Sequence, residues 1–236
     1  MTGVLYGLGL GPGDPDLVTL KAAAVLADVS VIVYVTPVTG GEPAPSFARA
    51  IAAKHLKGDE TEIAIPIVMQ DDPEPGQRAY DTAAAEIAIH LDAGRDVAVL
   101  CEGDPLLYGS FMYVLDRLKG SHTVVTVPGV SSLAAAAAAA NLPLVSRHQS
   151  LALIPATLPE GEIRTRLLTA DAAAVFKVGR NMPKVKKLLG ELGLESGACY
   201  VERASLPDGK VMTLTDAPDS PPYFSMVLMT RTETNT

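Results

Sequence analysis

Tryptophan is absent from the 236 residues, and cysteine occurs only twice, at Cys101 and Cys199. Two cysteines so far apart make no CxxC or other metal-binding spacing, and reduced thiols in a cytoplasmic protein are the expected state. Histidine is sparse too: His55, His90, His122 and His148 include no i, i+4 pair, so no protein-bound metal is expected. No run of about twenty apolar residues exists, which leaves no candidate membrane span. The opening MTGVLYGLGLGPGD reaches glycine without a basic segment and does not read as a signal peptide. Positive charge is in deficit, with 19 Lys and Arg against 27 Asp and Glu for a formal net charge of −8. A nucleic-acid-binding surface needs the opposite balance. A small polyacidic ligand needs only a local group of arginines.

What is present is an alternation of short β-branched runs and alanine-rich stretches. Nearly half the residues, 48%, are apolar, as in an ordinary globular chain, and the length suits one large or two modest domains. VLYGLGL reads as a first strand, followed by a helix in DLVTLKAAAVLAD with Asp16 as its N-cap. VSVIVYV is apolar throughout, as a buried parallel strand is. PSFARAIAAKHL is helical, capped by Ser46. TEIAIPIV is a strand that Pro66 confines to an edge or an end. DDPEPG is a turn-rich break. QRAYDTAAAEIAIHLDAG is a helix closed by Gly94. RDVAVLCEGDP is strand then loop, and GSFMYVLDRLKG a further helix. HTVVTVPGV opens a second set. Strands are expected at 150–154, 173–178, 198–202 and 224–230, and helices near 161–169 and 183–192. The crowded β-rich segments CYVERAS, KVMTLTD and YFSMVLMTR predict antiparallel pairing in a mixed sheet. The fold class is therefore α/β: an N-terminal domain over 1–120 with a largely parallel sheet, and a C-terminal domain over 121–236 with a mixed one.

Two glycine loops stand at strand ends. In GLGLGPGDPDLVTL the dinucleotide fingerprint G-x-G-x-x-G fails, because its sixth position is Pro12 counted from Gly7 and Asp14 counted from Gly9. No phosphate-binding G-x-x-x-x-G-K-[ST] exists either. The slim glycines either make a tight turn between Pro12 and Pro15 or let something large pass over the backbone. In CEGDPLLYGS, Gly103 admits close backbone approach and Pro105 holds Asp104 extended. Such a loop at the carboxyl end of a parallel strand is where open α/β sheets bind ligands. Cys101 has no basic neighbour to activate it and reads as a buried residue of the strand.

GLGLGPGDPDLVTLKA, CEGDPLLYGSFMYVLDRL and VPGVSSLAAAAAAANLPL, in this order, resemble three successive motifs of the tetrapyrrole methylase family. The resemblance runs from about Val4 to Arg231. YVTPVTGGEPAPSFARAI and CEGDPLLYGSFMYV are most similar to its precorrin-2 C(20)-methyltransferase branch, whereas other branches tend to carry glycine at the position of Glu102. The resemblance implies two α/β domains with a trough between them, a homodimer, and S-adenosyl-L-methionine as methyl donor, leaving as S-adenosyl-L-homocysteine. It implies cofactor contacts at Gly103, Asp104, Leu107 and Tyr108, at Ser131 and Ser132, and at Pro37, Val178 and Ala204. The first loop, with Gly11, Gly13 and Asp14, would face precorrin-2.

Each residue also has a plainer role open to it. Ser131 and Ser132 can receive a carboxylate at a helix start or simply cap that helix. Asp104 can attract the ammonium or sulfonium, or bond within its own loop. Precorrin-2 carries eight carboxylates, for which arginine is suited. Arg147 and His148 come first, then Arg49, with Arg78 and Arg180 behind, and any of them can equally be a surface charge. Methyl transfer from a sulfonium rests mainly on positioning and exclusion of water, so no essential nucleophile is expected, and the catalytic residues and any base stay open. Cobalt-precorrin-2 as substrate, another ring position, diphthamide synthesis, ribosomal RNA methylation and a non-catalytic nucleotide-binding module are the alternatives.

Overall fold

A computed structural model of the chain describes residues 2–68 and 74–231. The chain divides into two compact units, Met1–Ser131 and Ser132–Thr236.

The first unit is an open sheet in which β1 (Val4–Gly9), β2 (Val31–Thr39), β4 (Thr61–Val68), β5 (Val97–Cys101) and β6 (Thr123–Val127) run parallel in the order β4-β2-β5-β1-β6. The two-residue β3 (Glu42–Pro43) turns back against the end of β2. Among the described residues β4 pairs only with β2, the edge position that Pro66 requires. Helices cover both faces. α1 (Leu20–Asp28) and α2 (Phe47–Ala52) pack Leu26, Ala48 and Ile51 against Leu8, Ile32, Ala98 and Leu100. α3 (Glu74–Asp92) and α4 (Phe111–Leu118) pack Ile87, Leu91, Phe111 and Val114 against Leu5, Val33, Val97 and Val99. Successive residues of β5 thus point to opposite faces, as a strand buried on both sides requires.

Three local expectations are corrected. The boundary lies at Ser131/Ser132 rather than 120/121, because β6 pairs with β1 along Val4↔Thr123 to Leu8↔Val127 and completes the first sheet. The cap of α1 is Thr19, whose Oγ1 accepts from the Ala22 N–H at 3.1 Å. Asp16 instead lies in a short 3-10 turn, Pro15–Leu17, that Asp14 caps. Of the expected break at DDPEPG, residues 71–73 lie outside the described residues, while Glu74, Pro75 and Gly76 form the first turn of α3, where proline costs little.

The second unit is a five-stranded mixed sheet of β7 (Leu151–Pro155), β8 (Ala172–Phe176), β9 (Ala198–Glu202), β10 (Lys210–Thr213) and β11 (Ser225–Thr230), in the order β10-β9-β11-β8-β7. β7 and β8 are parallel and the other pairs antiparallel. α6 (Glu160–Thr169) and α7 (Met182–Glu191) cover one face through Ile163, Leu167, Val185 and Leu188. α5 (Ser132–Ala139) lays its alanine surface on Ala174, Val201 and Leu228 of the other. At the edge of this core the Tyr200 hydroxyl donates to Glu202 at 2.7 Å, and Lys210 Nζ closes the group at 2.9 Å.

Candidate functional site

The chain leaves β1 and β2 for the α1/α2 face and leaves β5 for the α3/α4 face. β5 is therefore flanked by strands whose connections depart in the opposite direction. Such switch points are where open α/β sheets form their ligand crevices.

On the β1 side the crevice is closed by backbone. Leu10 N–H donates to the Cys101 carbonyl at 2.9 Å, Gly103 N–H to the Gly11 carbonyl at 2.7 Å, and Gly11 N–H to the Gly103 carbonyl at 3.3 Å. Both glycines have positive φ, +79° at Gly11 and +65° at Gly103, a conformation that glycine adopts at little cost. A third loop joins from the end of β6. A Cβ on Gly9 would lie 2.4 Å from the Gly129 nitrogen, and one on Gly129 would lie 2.1 Å from the Gly103 carbonyl oxygen. The two conspicuous glycine loops are thus a single knot with Gly129 as its third strand-end. Gly7, deeper in β1, makes room for the Phe111 ring, which an added Cβ would approach to 2.3 Å.

Asp104 locks this knot. One carboxylate oxygen accepts from Leu106 N–H at 2.9 Å and the other from Gly129 N–H at 3.1 Å, so the loop-internal bond is present. The knot fixes residues 103–105, and the chain then exposes Leu106, Leu107 and Tyr108, which are 49%, 41% and 52% accessible. Tyr108 has φ +58°, rare for a bulky residue and worth a functional hypothesis at a ligand loop. Gly13 also has positive φ, and Asp14 Oδ1 accepts from Asp16 N–H at 2.9 Å. Pro37 lies on β2, where its carbonyl accepts from Ala44 N–H at 2.7 Å. Ser131 immediately precedes α5, of which Ser132 is the first residue.

Arg49 is already engaged. Its guanidinium meets Glu62 through Nε and Nη2, at 3.1 and 2.9 Å, and the Tyr34 hydroxyl donates to the same carboxylate at 2.6 Å. This pairing raises the Arg49 pKa and lowers that of Glu62. Arg78 bonds Glu74 one helical turn earlier. Cys101 is buried, with Sγ 3.8 Å from Ser110 Oγ, and burial pushes its thiol up to about 12, far from a nucleophile's range.

In the second unit, Val178 and Ala204 follow the ends of β8 and β9, two strands that run in the same direction through their shared partner β11. Val178 is fully buried in the α6/α7 core. Ala204 lies between Arg203 at φ +51° and Ser205 at φ +72°, and Lys177 before Val178 has φ +57°. Both candidate positions thus sit beside strained backbone. Arg147 and His148 are the exposed centre of a turn closed by Gln149 N–H on the Ser146 carbonyl at 2.9 Å. Arg147 makes no ion pair with a described residue.

Glu102 and Gly129 were not among the predicted site residues. Gly129 had a visible signal, a third strand-glycine junction in TVPGV. Glu102 is the first residue beyond β5 and is exposed. Among the described residues no group of three or more His, Cys, Asp or Glu is disposed to hold a metal ion, and no helix is long and apolar enough to cross a membrane.

A doubly wound sheet with ligand loops at its switch point defines a small-molecule-binding α/β protein. Residues 4–218 match the family model of the Tetrapyrrole (Corrin/Porphyrin) Methylases, and the chain belongs to that family. It is 44% identical to the cobalamin biosynthesis protein CobIJ of Mycobacterium tuberculosis, over 96% of this chain but 46% of that protein. The chain thus spans about half the length of the CobIJ relatives it matches. Near-full-length similarity links it to the precorrin-2 C(20)-methyltransferase of Sinorhizobium sp, at 37% identity over 96% of this chain and 95% of the relative. The cobalt-precorrin-2 C(20)-methyltransferase of Salmonella typhimurium is 33% identical over 98% of each chain. Among solved structures, cobalt precorrin-4 methyltransferase CbiF superposes with a TM-score of 0.71 at 25% identity, over 96% of this chain and 94% of that one.

Proposed function

We propose that the chain is an S-adenosylmethionine-dependent C-methyltransferase that methylates precorrin-2 at C-20 to give precorrin-3A in cobalamin biosynthesis. The observation that carries this reading is the glycine knot, which fixes the Asp104 loop and presents Leu106, Leu107 and Tyr108 beyond it. The names of the Sinorhizobium and Salmonella relatives support the choice of ring position.

The loop suits the cofactor by offering an exposed apolar shelf, Leu106 to Tyr108, for a purine. Gly103, Asp104, Leu107, Tyr108, Ser131 and Pro37 of the first unit, with Ser132, Val178 and Ala204 of the second, are the proposed contacts. When bound, S-adenosylmethionine supplies a methyl group already activated by its sulfonium. The chain's share is to orient the acceptor carbon and exclude water. Gly13 and Asp14 on the first loop and the Arg147–His148 turn are the proposed tetrapyrrole contacts. Gly9 and Gly11 contribute by shaping the knot. We place the enzyme in the cytoplasm, where its two cysteines would stay reduced, and take it as a homodimer, as the family resemblance implies.

Cobalt-precorrin-2 is the second reading, favoured by the Salmonella relative; cobalt would arrive inside the substrate. Incubation with each tetrapyrrole and methyl-labelled S-adenosylmethionine, followed by carbon NMR, tests both. Label is expected at C-20. Label at another carbon overturns the assignment, and the ratio of kcat/KM values decides between the two substrates.

A further inference from the structure

The connection from β9 to β10, residues 203–209, holds two non-glycine residues in left-handed backbone, Arg203 at φ +51° and Ser205 at φ +72°. Such conformations persist only where the surroundings enforce them, and they gather at ligand sites. Ala204 stands between the two. Like Leu133 near the start of α5, it packs against the core of Ala174, Val201 and Leu228. The loop is braced by backbone. Arg203 N–H donates to the Phe224 carbonyl at 2.7 Å, Leu206 N–H to the Arg203 carbonyl at 3.0 Å, and Gly209 N–H to the Leu206 carbonyl at 2.9 Å. Arg203 Nε also donates to Asp208 at 3.0 Å.

At the mouth of this loop three strands present one polar row. Lys210, Glu202 and Ser225 stand directly opposite one another across β10, β9 and β11, so their side chains share a face. Tyr200, two residues back on β9, points the same way. Its hydroxyl donates to one Glu202 oxygen at 2.7 Å and so accepts from Ser225 Oγ–H at 3.0 Å. Lys210 Nζ donates to the other Glu202 oxygen at 2.9 Å. Tyr200, Glu202 and Ser225 are all buried. A buried ion pair gives little stability that well-packed apolar residues would not also give. What this one supplies is direction. Bonds reaching three strands fix the last residue of β9, and the strained turn begins at the next.

We propose that Glu202 is a positioning residue for the methyl donor: its network holds the 203–205 turn in the conformation that brings the Ala204 backbone to S-adenosylmethionine. This rests on the function proposed above, in which Ala204 is a cofactor contact. Glu202 acts through the turn and takes no part in methyl transfer.

Calorimetric titration of S-adenosylhomocysteine into the full chain tests this. Tyr200→Phe keeps the ring and removes the hydroxyl. Lys210→Met alters a side chain that is 58% accessible, so it keeps the fold even where Glu202→Gln does not. Each should raise Kd by about tenfold, the weight of one hydrogen bond, and should raise KM for S-adenosylmethionine with it. The KM for precorrin-2 and kcat at saturating cofactor should stay at their wild-type values. Lys186→Met is the control. It removes an ion pair to Asp219 in the same unit, and should lower the melting temperature without moving Kd. Wild-type Kd in both Tyr200→Phe and Lys210→Met overturns the role, and so does an equal loss of affinity in Lys186→Met. A wild-type protein that binds no S-adenosylhomocysteine would instead overturn the function on which the role rests.

Discussion

Replacing Gly129 by alanine tests the glycine knot most directly. The added Cβ would stand 2.1 Å from the Gly103 carbonyl oxygen and 2.7 Å from the Gly9 Cα. Ordinary close carbon–oxygen approaches are about 3.3 Å, so the deficit is roughly 1 Å. Both obstacles are backbone, and neither can rotate away. The loops after β1, β5 and β6 must part, breaking the Gly11–Gly103 pairing and the Asp104–Gly129 bond. Overpacking of this kind costs about 1–3 kcal/mol, occasionally more, and obstruction by backbone on two sides places Gly129→Ala at about 3 kcal/mol. That is roughly two powers of ten in the folding equilibrium. Urea unfolding followed by far-ultraviolet circular dichroism measures it, with titration of S-adenosylmethionine on the folded variant beside it. Affinity should fall with stability, because the same loops hold the proposed cofactor shelf. Gly190→Ala is the control: nothing lies within 4 Å of its added Cβ, and inside α7 alanine should stabilise by about 1 kcal/mol. A Gly129→Ala protein with the wild-type midpoint and wild-type affinity would refute the knot.

Other outcomes follow from the same geometry. Arg49→Ala should cost no more than about 1 kcal/mol, since its pair with Glu62 is partly exposed; a large rise in KM for the tetrapyrrole would return Arg49 to the substrate. Arg147→Ala should raise that KM and leave cofactor affinity alone, and an unchanged KM counts against the 146–149 turn as a substrate contact. Glu202 titrates below the ordinary glutamate value because Tyr200 and then Lys210 bond its carboxylate. Its contribution to stability is therefore complete above the unfolded-state value and is lost as pH falls through the lower folded one. Urea midpoints measured from about pH 6 down to pH 3 should fall less steeply in Glu202→Gln than in the wild type; parallel curves would contradict the network.

Periodicity and punctuation carried most of the fold. The apolar run before Pro37 gave a buried parallel strand, Pro66 gave an edge, and the crowded segments after Ala198 gave the antiparallel part of the second sheet. Such signals are local. Which sheet a strand joins is not, and residues 123–127 went to the wrong unit because the turn at Lys119–His122 resembles a boundary while the β1 partner lies far back in the chain. The cap of α1 was misplaced for a related reason: Asp14 and Asp16 both suit a helix start, and only the intervening 3-10 turn moves the start to Thr19. At the site, the motif glycines were visible but their use was not. Gly9 and Gly11 also pack against backbone at Gly103 and Gly129, in loops about a hundred residues away that no spacing rule connects to them.

The position of β1 inside its sheet bears on how the protein is made. It leaves the ribosome well before both of its neighbours, β5 and β6, and the second is complete only at Val127. At ordinary translation rates the segment VLYGLG waits on the order of ten seconds with both edges open. Nascent chains of this protein should therefore depend on chaperones over that interval. A gene truncated after Gly120 would keep β5 but remove β6, leaving one edge of β1 unguarded and able to recruit a strand from another copy.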